Sequence, residues 1–306
     1  MNEKAVNSMI LVAAANAPED NIASRLSMIL RDIAPATRVE AITSLGQMGD
    51  VAAVEAIIPT LPSEMLQPVL SALHDAEMDA AFLPGENRRK RLLISDMDST
   101  IIGQECLDEL ADFAGLKAEV SAITERAMRG ELDFEGALTT RVAMLKGLDL
   151  KALQDAYDAR ITLNTGAKTL VETMKASGAV TVLVSGGFTF FTGRVAEEAG
   201  FVAHRGNTLI DDGAALTGEV GMPILGREAK LSALDEVSAE NGLGRADAIA
   251  LGDGANDLAM IKAAGLGIAY KAKPIVAAEA HAAITHTDLH TALFFQGYHV
   301  DEFVTG

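Results

Sequence analysis

The sequence predicts an α/β protein: a doubly wound, mainly parallel sheet that carries a helical insert and follows a smaller α+β unit. Three observations carry that expectation. After Gly166, short apolar runs alternate with helical periods, the pattern of a parallel sheet wound with helices. Between Ile101 and Leu163 the period is helical, with breaks at Gly115, Gly130 and Gly147, so this stretch reads as a cap standing outside the sheet. Ahead of residue 85, two helical periods are interleaved with four strand-like runs in the order βαββαβ.

The elements follow in order. Residues 8–15 form an apolar run suited to a first strand. Asp20 is placed to cap a helix to Asp32 whose buried face carries Ile22, Leu26, Ile29 and Leu30. Residues 38–45 and 51–58 are strands, with 46–50 as the hairpin connection. Ser63 opens a second helix, with Met65, Leu66, Val69, Leu70 and Leu73 at core spacing, and 78–83 is a last short strand. This order resembles the ferredoxin-like topology of ACT-type regulatory domains, which implies a regulatory or accessory domain over 1–85. Pro84-Gly85-Glu86-Asn87 marks the boundary, and the basic run Arg88-Arg89-Lys90-Arg91 reads as a solvated linker into a second domain, 86–306. That domain opens with a strand over 91–98 and the helical cap at about 101–163. Helices follow at 167–176, 190–199, 228–241, 257–264, 274–280 and 288–295. Strands are expected at 180–185, 248–252, 267–270 and 282–285, and 201–220 reads as rich in β-hairpin.

The chain's 306 residues allow two domains and a large core, and 49% hydrophobic content excludes a disordered chain. A net charge of −18 argues against a nucleic-acid partner and fits a small-molecule one. The single cysteine, Cys106, cannot form an internal disulfide, so a reducing, cytoplasmic setting is expected, with Cys106 as a small packed hydrophobe. No apolar run reaches 18 residues, so no membrane-spanning helix is expected. Lys4, the apolar 9–15 and Ala15-Asn16-Ala17 have the outline of a signal peptide, but Glu3 in the charged start and Pro18 after the cleavage point favour a first strand.

Chemistry concentrates at strand ends. Leu92-Leu93-Ile94-Ser95 runs into Asp96 and Asp98, and if the strand continues, its period of two puts both carboxylates on one side. Two carboxylates that close require a proton or a cation between them, and Mg²⁺ is the hard, oxygen-seeking candidate. A plain acidic turn explains this stretch alone equally simply. Val182-Leu183-Val184 ends in Ser185-Gly186-Gly187, where a hydroxyl and unhindered N–H groups can meet an anion. Ile249-Ala250-Leu251-Gly252 ends in Asp253, a third acidic ligand, with Asn256 offering an amide to a substrate and Asp257 supporting from behind. Lys230 sits near the start of a helix; taken alone it reads as a surface lysine.

Together, Asp96-Met97-Asp98-Ser99-Thr100, Ser185, Lys230 and Gly252-Asp253-Gly254-Ala255-Asn256-Asp257 resemble the motif set of the haloacid-dehalogenase-like phosphatases. With Gly103-Gln104-Glu105 and Val184-Ser185-Gly186-Gly187-Phe188, the resemblance extends to the branch that cleaves O-phosphoserine and covers roughly 91–300. It implies a Rossmann-type sheet and an Mg²⁺-dependent phosphomonoester hydrolase at the last step of L-serine biosynthesis. In that reading Asp96 is the nucleophile and Asp98 the general acid and base. Mg²⁺ is held by Asp96, the Asp98 carbonyl and Asp253. Lys230, Ser185 and Gly186 bind the phosphoryl group, and Asn256 contributes to the substrate site. Glu105 takes the substrate ammonium and Arg141 its carboxylate, with Met128 and Phe134 as candidate pocket walls. The alternative is a related phosphatase or phosphotransferase acting on another small phosphoester. His281, His286, His290 and His299 match no metal-binding spacing and read as scattered surface residues. The implied partner is a small phosphorylated amino acid, with no nucleic acid or membrane, and with room for a homodimer.

Overall fold

The computed structural model describes residues 9–128, 131 and 133–305. Its first unit runs β1 (Met9–Ala15), α1 (Glu19–Ile33), β2 (Ala41–Met48), β3 (Val51–Ile58), α2 (Ser63–Asp75) and β4 (Asp79–Pro84). The four strands form an antiparallel sheet in the order β2-β3-β1-β4, the ferredoxin-like arrangement. Some boundaries differ from the sequence reading, the start of β2 at Ala41 and not at residue 38 among them. Asp20 is not the cap of α1: Pro18 holds that position, and Asp20 lies in the acidic first turn, where it faces the positive end of the helix dipole. The β2–β3 connection is shorter than 46–50. β2 continues to Met48 through an irregularity at Ser44–Gly46, and the chain reverses at Gly49-Asp50.

This sheet is buried on both faces. Leu11, Ala13 and Ala15 pack with Ile22, Leu26 and Leu30 of α1 and Val69 and Leu73 of α2. The alternate residues Val12 and Ala14, with Ala53, Ala81 and Leu83, pack into the core of the second unit. A strand buried on both sides has no polar face to show, which is why β1 reads as an unbroken apolar run.

The second unit begins with β5 (Leu92–Ser95) and the cap helices α3 (Cys106–Phe113), α4 (Lys117–Met128), α5 (Phe134–Ala143) and α6 (Leu150–Arg160). The cap is helical, as expected, and an isolated antiparallel bridge between Ile102 and Leu163 closes its base; the expected break at Gly130 lies outside the described residues. Then come α7 (Ala167–Ala176), β6 (Val180–Phe188), α8 (Thr189–Ala199) and β7 (Ala203–Asn207). The hairpin β8 (Leu209–Asp211) and β9 (Leu216–Val220) leads to α9 (Arg227–Glu240) and β10 (Ala248–Gly252). The chain ends with α10 (Leu258–Ala263), β11 (Leu266–Tyr270), α11 (Pro274–Ala277), β12 (Ala282–Ile284) and α12 (His290–Phe295). Of the expected β-hairpin region, 203–207 instead joins the main sheet beside β6 in parallel.

That sheet is parallel throughout, in the order β12-β11-β10-β5-β6-β7. The chain builds outward from β5 through β6 and β7, then returns to the other side of β5 to add β10, β11 and β12. The order therefore reverses between β5 and β10, and in open α/β sheets ligands bind at that switch point, outside the carboxyl ends of the strands.

The basic run is a solvated linker only in part: Arg89 and Arg91 are exposed, whereas Arg88 and Lys90 are drawn in. Arg88 Nη1 meets Glu55 Oε2 of β3 at 2.6 Å, and the rest of its fork donates to the Phe294 and Phe295 carbonyls. Lys90 is 7% exposed and caps the Asn87 and Ala246 carbonyls. Asp79, 3% exposed at the start of β4, accepts from the N–H groups of Thr285, His286 and Thr287 and from the Thr287 hydroxyl. The two units are thus joined by buried, hydrogen-bonded charges. Among the described residues no helix is long and apolar enough to cross a membrane.

Candidate active site

The β5 ladder ends at Ser95, and the Asp96 N–H still reaches the Leu251 carbonyl of β10 at 3.0 Å. The strand does not run on through Asp98. Instead the Met97 carbonyl accepts from the N–H groups of Thr100, Ile101 and Ile102 at 3.3, 2.9 and 3.1 Å, which winds the chain into a tight turn around the buried Met97 side chain. Ser99 takes a left-handed φ of 54° within it. Both carboxylates line one cleft of about 180 Å³, brought there by a turn and not by strand alternation.

Asp96 is 5% exposed, and its Oδ1 accepts from the Met97 N–H at 2.8 Å and from Lys230 Nζ at 2.7 Å. Lys230 lies in the first turn of α9, is 3% exposed, and also donates to Asp257 Oδ1 at 2.5 Å. The other Asp257 oxygen takes the Gly254 N–H. Lys230 is therefore no surface lysine. Burial disfavours its charge, but Asp96 and Asp257 outweigh burial and hold its ammonium above the ordinary lysine value.

Asp98 Oδ1 accepts from the Cys106 N–H at 2.8 Å, and Oδ2 from the Ser185 hydroxyl at 3.0 Å. Burial raises its pKa against the pull of those bonds. Ser185 and the two glycines follow the β6–β7 ladder where its register breaks, between Val184 and Phe188. The Gly187 N–H donates to Ser185 Oγ at 2.8 Å. A Cβ on Gly187 would stand 3.0 Å from Ser185 Oγ and 3.1 Å from Asp98 Oδ2, so only glycine fits comfortably there.

Asp253 leaves β10 across the switch point from Asp96. Carboxylate oxygens of Asp96, Asp253 and Asp257 lie within 4.8 Å of one another. Against these three the cluster holds one lysine. Burial, with Asp257 adding to it, pushes Asp253 up to about 6, and burial also raises Asp96. An excess of buried negative charge with all-oxygen donors fits a hard divalent cation. Asp257 is already committed to Lys230 and Gly254, which leaves Asp96 and Asp253 as the side chains able to hold it.

The cap closes the cleft with Glu105, Leu107, Phe134, Leu138 and Arg141, and Asn256 lines the sheet side. Glu105 is exposed at the mouth, and its Oε1 accepts from the Ser99 hydroxyl at 2.7 Å. Withdrawal of its carboxyl into the cleft, with Asp98 close by, pushes it up to about 7. Arg141, in the last turn of α5, donates its Nε to the Ala137 carbonyl of the same helix at 3.3 Å. Its terminal nitrogens have no carboxylate partner among the described residues. All nine residues singled out from the sequence thus border one cavity, together with Phe134; the Met128 side chain lies outside the described residues.

Sequence reasoning missed three supports. The Cys106 backbone N–H anchors Asp98, which no side-chain motif can signal; the thiol itself is buried and its pKa is driven up, as expected of a packed residue. Gly187 is required by steric fit, for which the Gly-Gly pair was the visible sign. Asp257 clamps Lys230 in addition to supporting the 253–257 loop. The histidines are not all surface residues: His290 is 7% exposed and stacks on Phe303, because α12 lies between the two units.

A sequence model described as haloacid dehalogenase-like hydrolase matches residues 93–262. The phosphoserine phosphatase of Streptococcus thermophilus is 48% identical over 204 residues, covering 67% of this chain and 94% of that protein. Among solved structures, a HAD-family hydrolase from Salmonella enterica serovar Typhi superposes with a TM-score of 0.82 at 29% identity, over 94% of this chain and 98% of its own. A phospho-aspartyl intermediate analogue of phosphoserine phosphatase superposes with a TM-score of 0.62 at 39% identity, over 68% of this chain and 99% of its own. The chain belongs to the haloacid dehalogenase-like hydrolases, in their phosphoserine phosphatase family.

Proposed function

We propose that this protein hydrolyses O-phospho-L-serine to L-serine and phosphate through an aspartyl-phosphate on Asp96. The observation that carries this reading is one cleft with two differently equipped ends. The sheet end holds Asp96, Asp98, Ser185, Lys230 and Asp253; the cap end holds Glu105 and the fork of Arg141, which has no carboxylate partner among the described residues. The first end suits a phosphoryl group, and the second an α-ammonium and α-carboxylate.

The proposed chemistry follows from the hydrogen bonds. Asp96 Oδ1 is held by Met97 and Lys230, which leaves Oδ2, without a partner among the described residues, to attack phosphorus. An Oδ2–P bond forms, the P–O bond to serine breaks, and the Asp98 carboxyl passes its proton to the leaving serine oxygen. Burial favours the protonated form of Asp98 that this step needs. In the second half Asp98, now ionised, takes a proton from water as the water oxygen attacks phosphorus and Asp96 is released. Lys230 donates to a phosphoryl oxygen throughout, and Ser185, its hydroxyl bonded to Asp98 Oδ2, borders the phosphoryl end of the cleft. Mg²⁺, held by Asp96, Asp253 and the Asp98 main-chain carbonyl, would supply charge neutralisation at the phosphoryl group. Glu105 and Arg141 read the zwitterion, the guanidinium as a bidentate fork.

The test is phosphate release across a panel of phosphoesters, in chelator and with Mg²⁺ restored. O-phosphoserine should be hydrolysed best, activity should vanish in chelator, and Mg²⁺ should bring it back. A flat panel, or full activity in chelator, would contradict the reading.

A further inference from the structure

Asn207 appears in none of the motifs, yet it ties the proposed phosphate site together. It is the last residue of β7, 2% exposed, paired with Phe188 where β6 rejoins the ladder after its break at Ser185–Gly187. Those bulged residues lose their strand partners, and the Asn207 side chain supplies one. Its Nδ2 donates to the Gly186 carbonyl at 2.8 Å. Its Oδ1 accepts the Leu225 N–H at 2.7 Å, and Nδ2 also approaches the Leu225 carbonyl at 3.3 Å.

The Gly186 carbonyl and the Gly187 N–H belong to one planar peptide. Fixing the carbonyl therefore aims the N–H, which donates to Ser185 Oγ at 2.8 Å; the Ser185 hydroxyl in turn donates to Asp98 Oδ2 at 3.0 Å. The result is a single directed chain from the Asn207 amide through the Gly186–Gly187 peptide and Ser185 to Asp98. Because the Gly187 N–H occupies a lone pair of the Ser185 oxygen, the serine hydrogen is directed toward Asp98, and each bond polarises the next.

We propose that Asn207 is a positioning residue for Asp98, acting through the Gly186–Gly187 peptide and the Ser185 hydroxyl. The proposal rests on the reading of Asp98 as the proton donor to the leaving serine oxygen. A second strand of Asn207's bonding leads to Leu225 and toward the helix that carries Lys230, so an effect on the phosphate site must be separable from an effect on proton transfer.

Leaving-group chemistry separates them. The serine oxygen needs a proton as it departs, whereas a nitrophenolate does not. Because kcat/KM reports only the steps through the first irreversible one, it isolates expulsion of the leaving group from the later attack of water. The experiment measures kcat/KM for O-phosphoserine and for p-nitrophenyl phosphate with wild type, Asn207→Asp and Asn207→Ala. Asn207→Asp keeps the acceptor for Leu225 and loses the donor to Gly186, so it serves if the alanine variant does not fold; the thermal transition is read for each protein. The expected result is a loss of kcat/KM on O-phosphoserine at least tenfold larger than the loss on p-nitrophenyl phosphate, in each variant that folds. An equal loss on both substrates, or none on either, overturns the assignment. A wild type that releases no phosphate from O-phosphoserine would instead sink the functional reading itself, so the two failures are distinguishable.

Discussion

At the scale of single residues, the cleft divides its work by burial. Lys230 and Asp96 are nearly sealed and paired with each other, Lys230 also with Asp257. Arg141 is only half-buried, and among the described residues its fork has no carboxylate partner. A buried or half-buried guanidinium with no carboxylate is costly unless a ligand supplies one. Arg141→Ala should therefore lower kcat/KM for O-phosphoserine by roughly thirtyfold or more, the range of about 2–5 kcal/mol for breaking one side of such a pair. Arg141→Lys should recover part of it, since a point charge cannot reproduce the fork. Phosphoethanolamine, which lacks the carboxylate, should be a poor substrate and nearly indifferent to either change. Equal losses on the two substrates would assign Arg141 to the fold or to the phosphate end.

At the scale of elements, what could be read from the sequence divides along the same physical line. The strand ends carrying Asp96, Ser185 and Asp253 were legible because a parallel strand buried on both faces leaves a bare apolar run that stops abruptly at polar residues. The cap was legible from its helical period, interrupted only at glycines and carrying no strand-like run. What was not legible depends on partners remote in sequence. Lys230 looks like any helix lysine until Asp96 and Asp257 close on it. Arg88 and Lys90 look like a linker because Glu55, Ala246 and the 294–295 carbonyls are far along the chain. The tight turn at Met97 replaced the expected strand because its carbonyl collects three N–H groups, a preference that no periodicity reports. Asp79 is the most consequential of these hidden contacts. It binds three successive N–H groups and a hydroxyl of the 285–287 segment, and bonds to a charged acceptor are the stronger kind. Asp79→Ala should cost about 3 kcal/mol of unfolding free energy in urea. A loss under about 1 kcal/mol would mean that the segment holds its shape without β4.

At the scale of the whole molecule, the topology accounts for the position of the chemistry. The order of the main sheet reverses between β5 and β10, and the two acidic strand ends that face each other there are Asp96 and Asp253. The cap is inserted directly after the first of them, so the elements that would read the amino acid lie over the groups that would break the phosphoester. The ferredoxin-like unit lies behind this assembly, its inner sheet face sharing a core with α12. The most direct test of the catalytic reading is Asp96→Asn, nearly isosteric and able to keep the Met97 N–H bond. Turnover of O-phosphoserine and transfer of labelled phosphate to the protein are measured side by side with wild type, and folding is checked by the thermal transition. The expected result is a folded variant with kcat reduced at least about a thousandfold, ~4 kcal/mol of barrier, and no label on the protein. A folded variant that keeps turnover within about tenfold of wild type, or that still takes up label, would contradict Asp96 as the nucleophile.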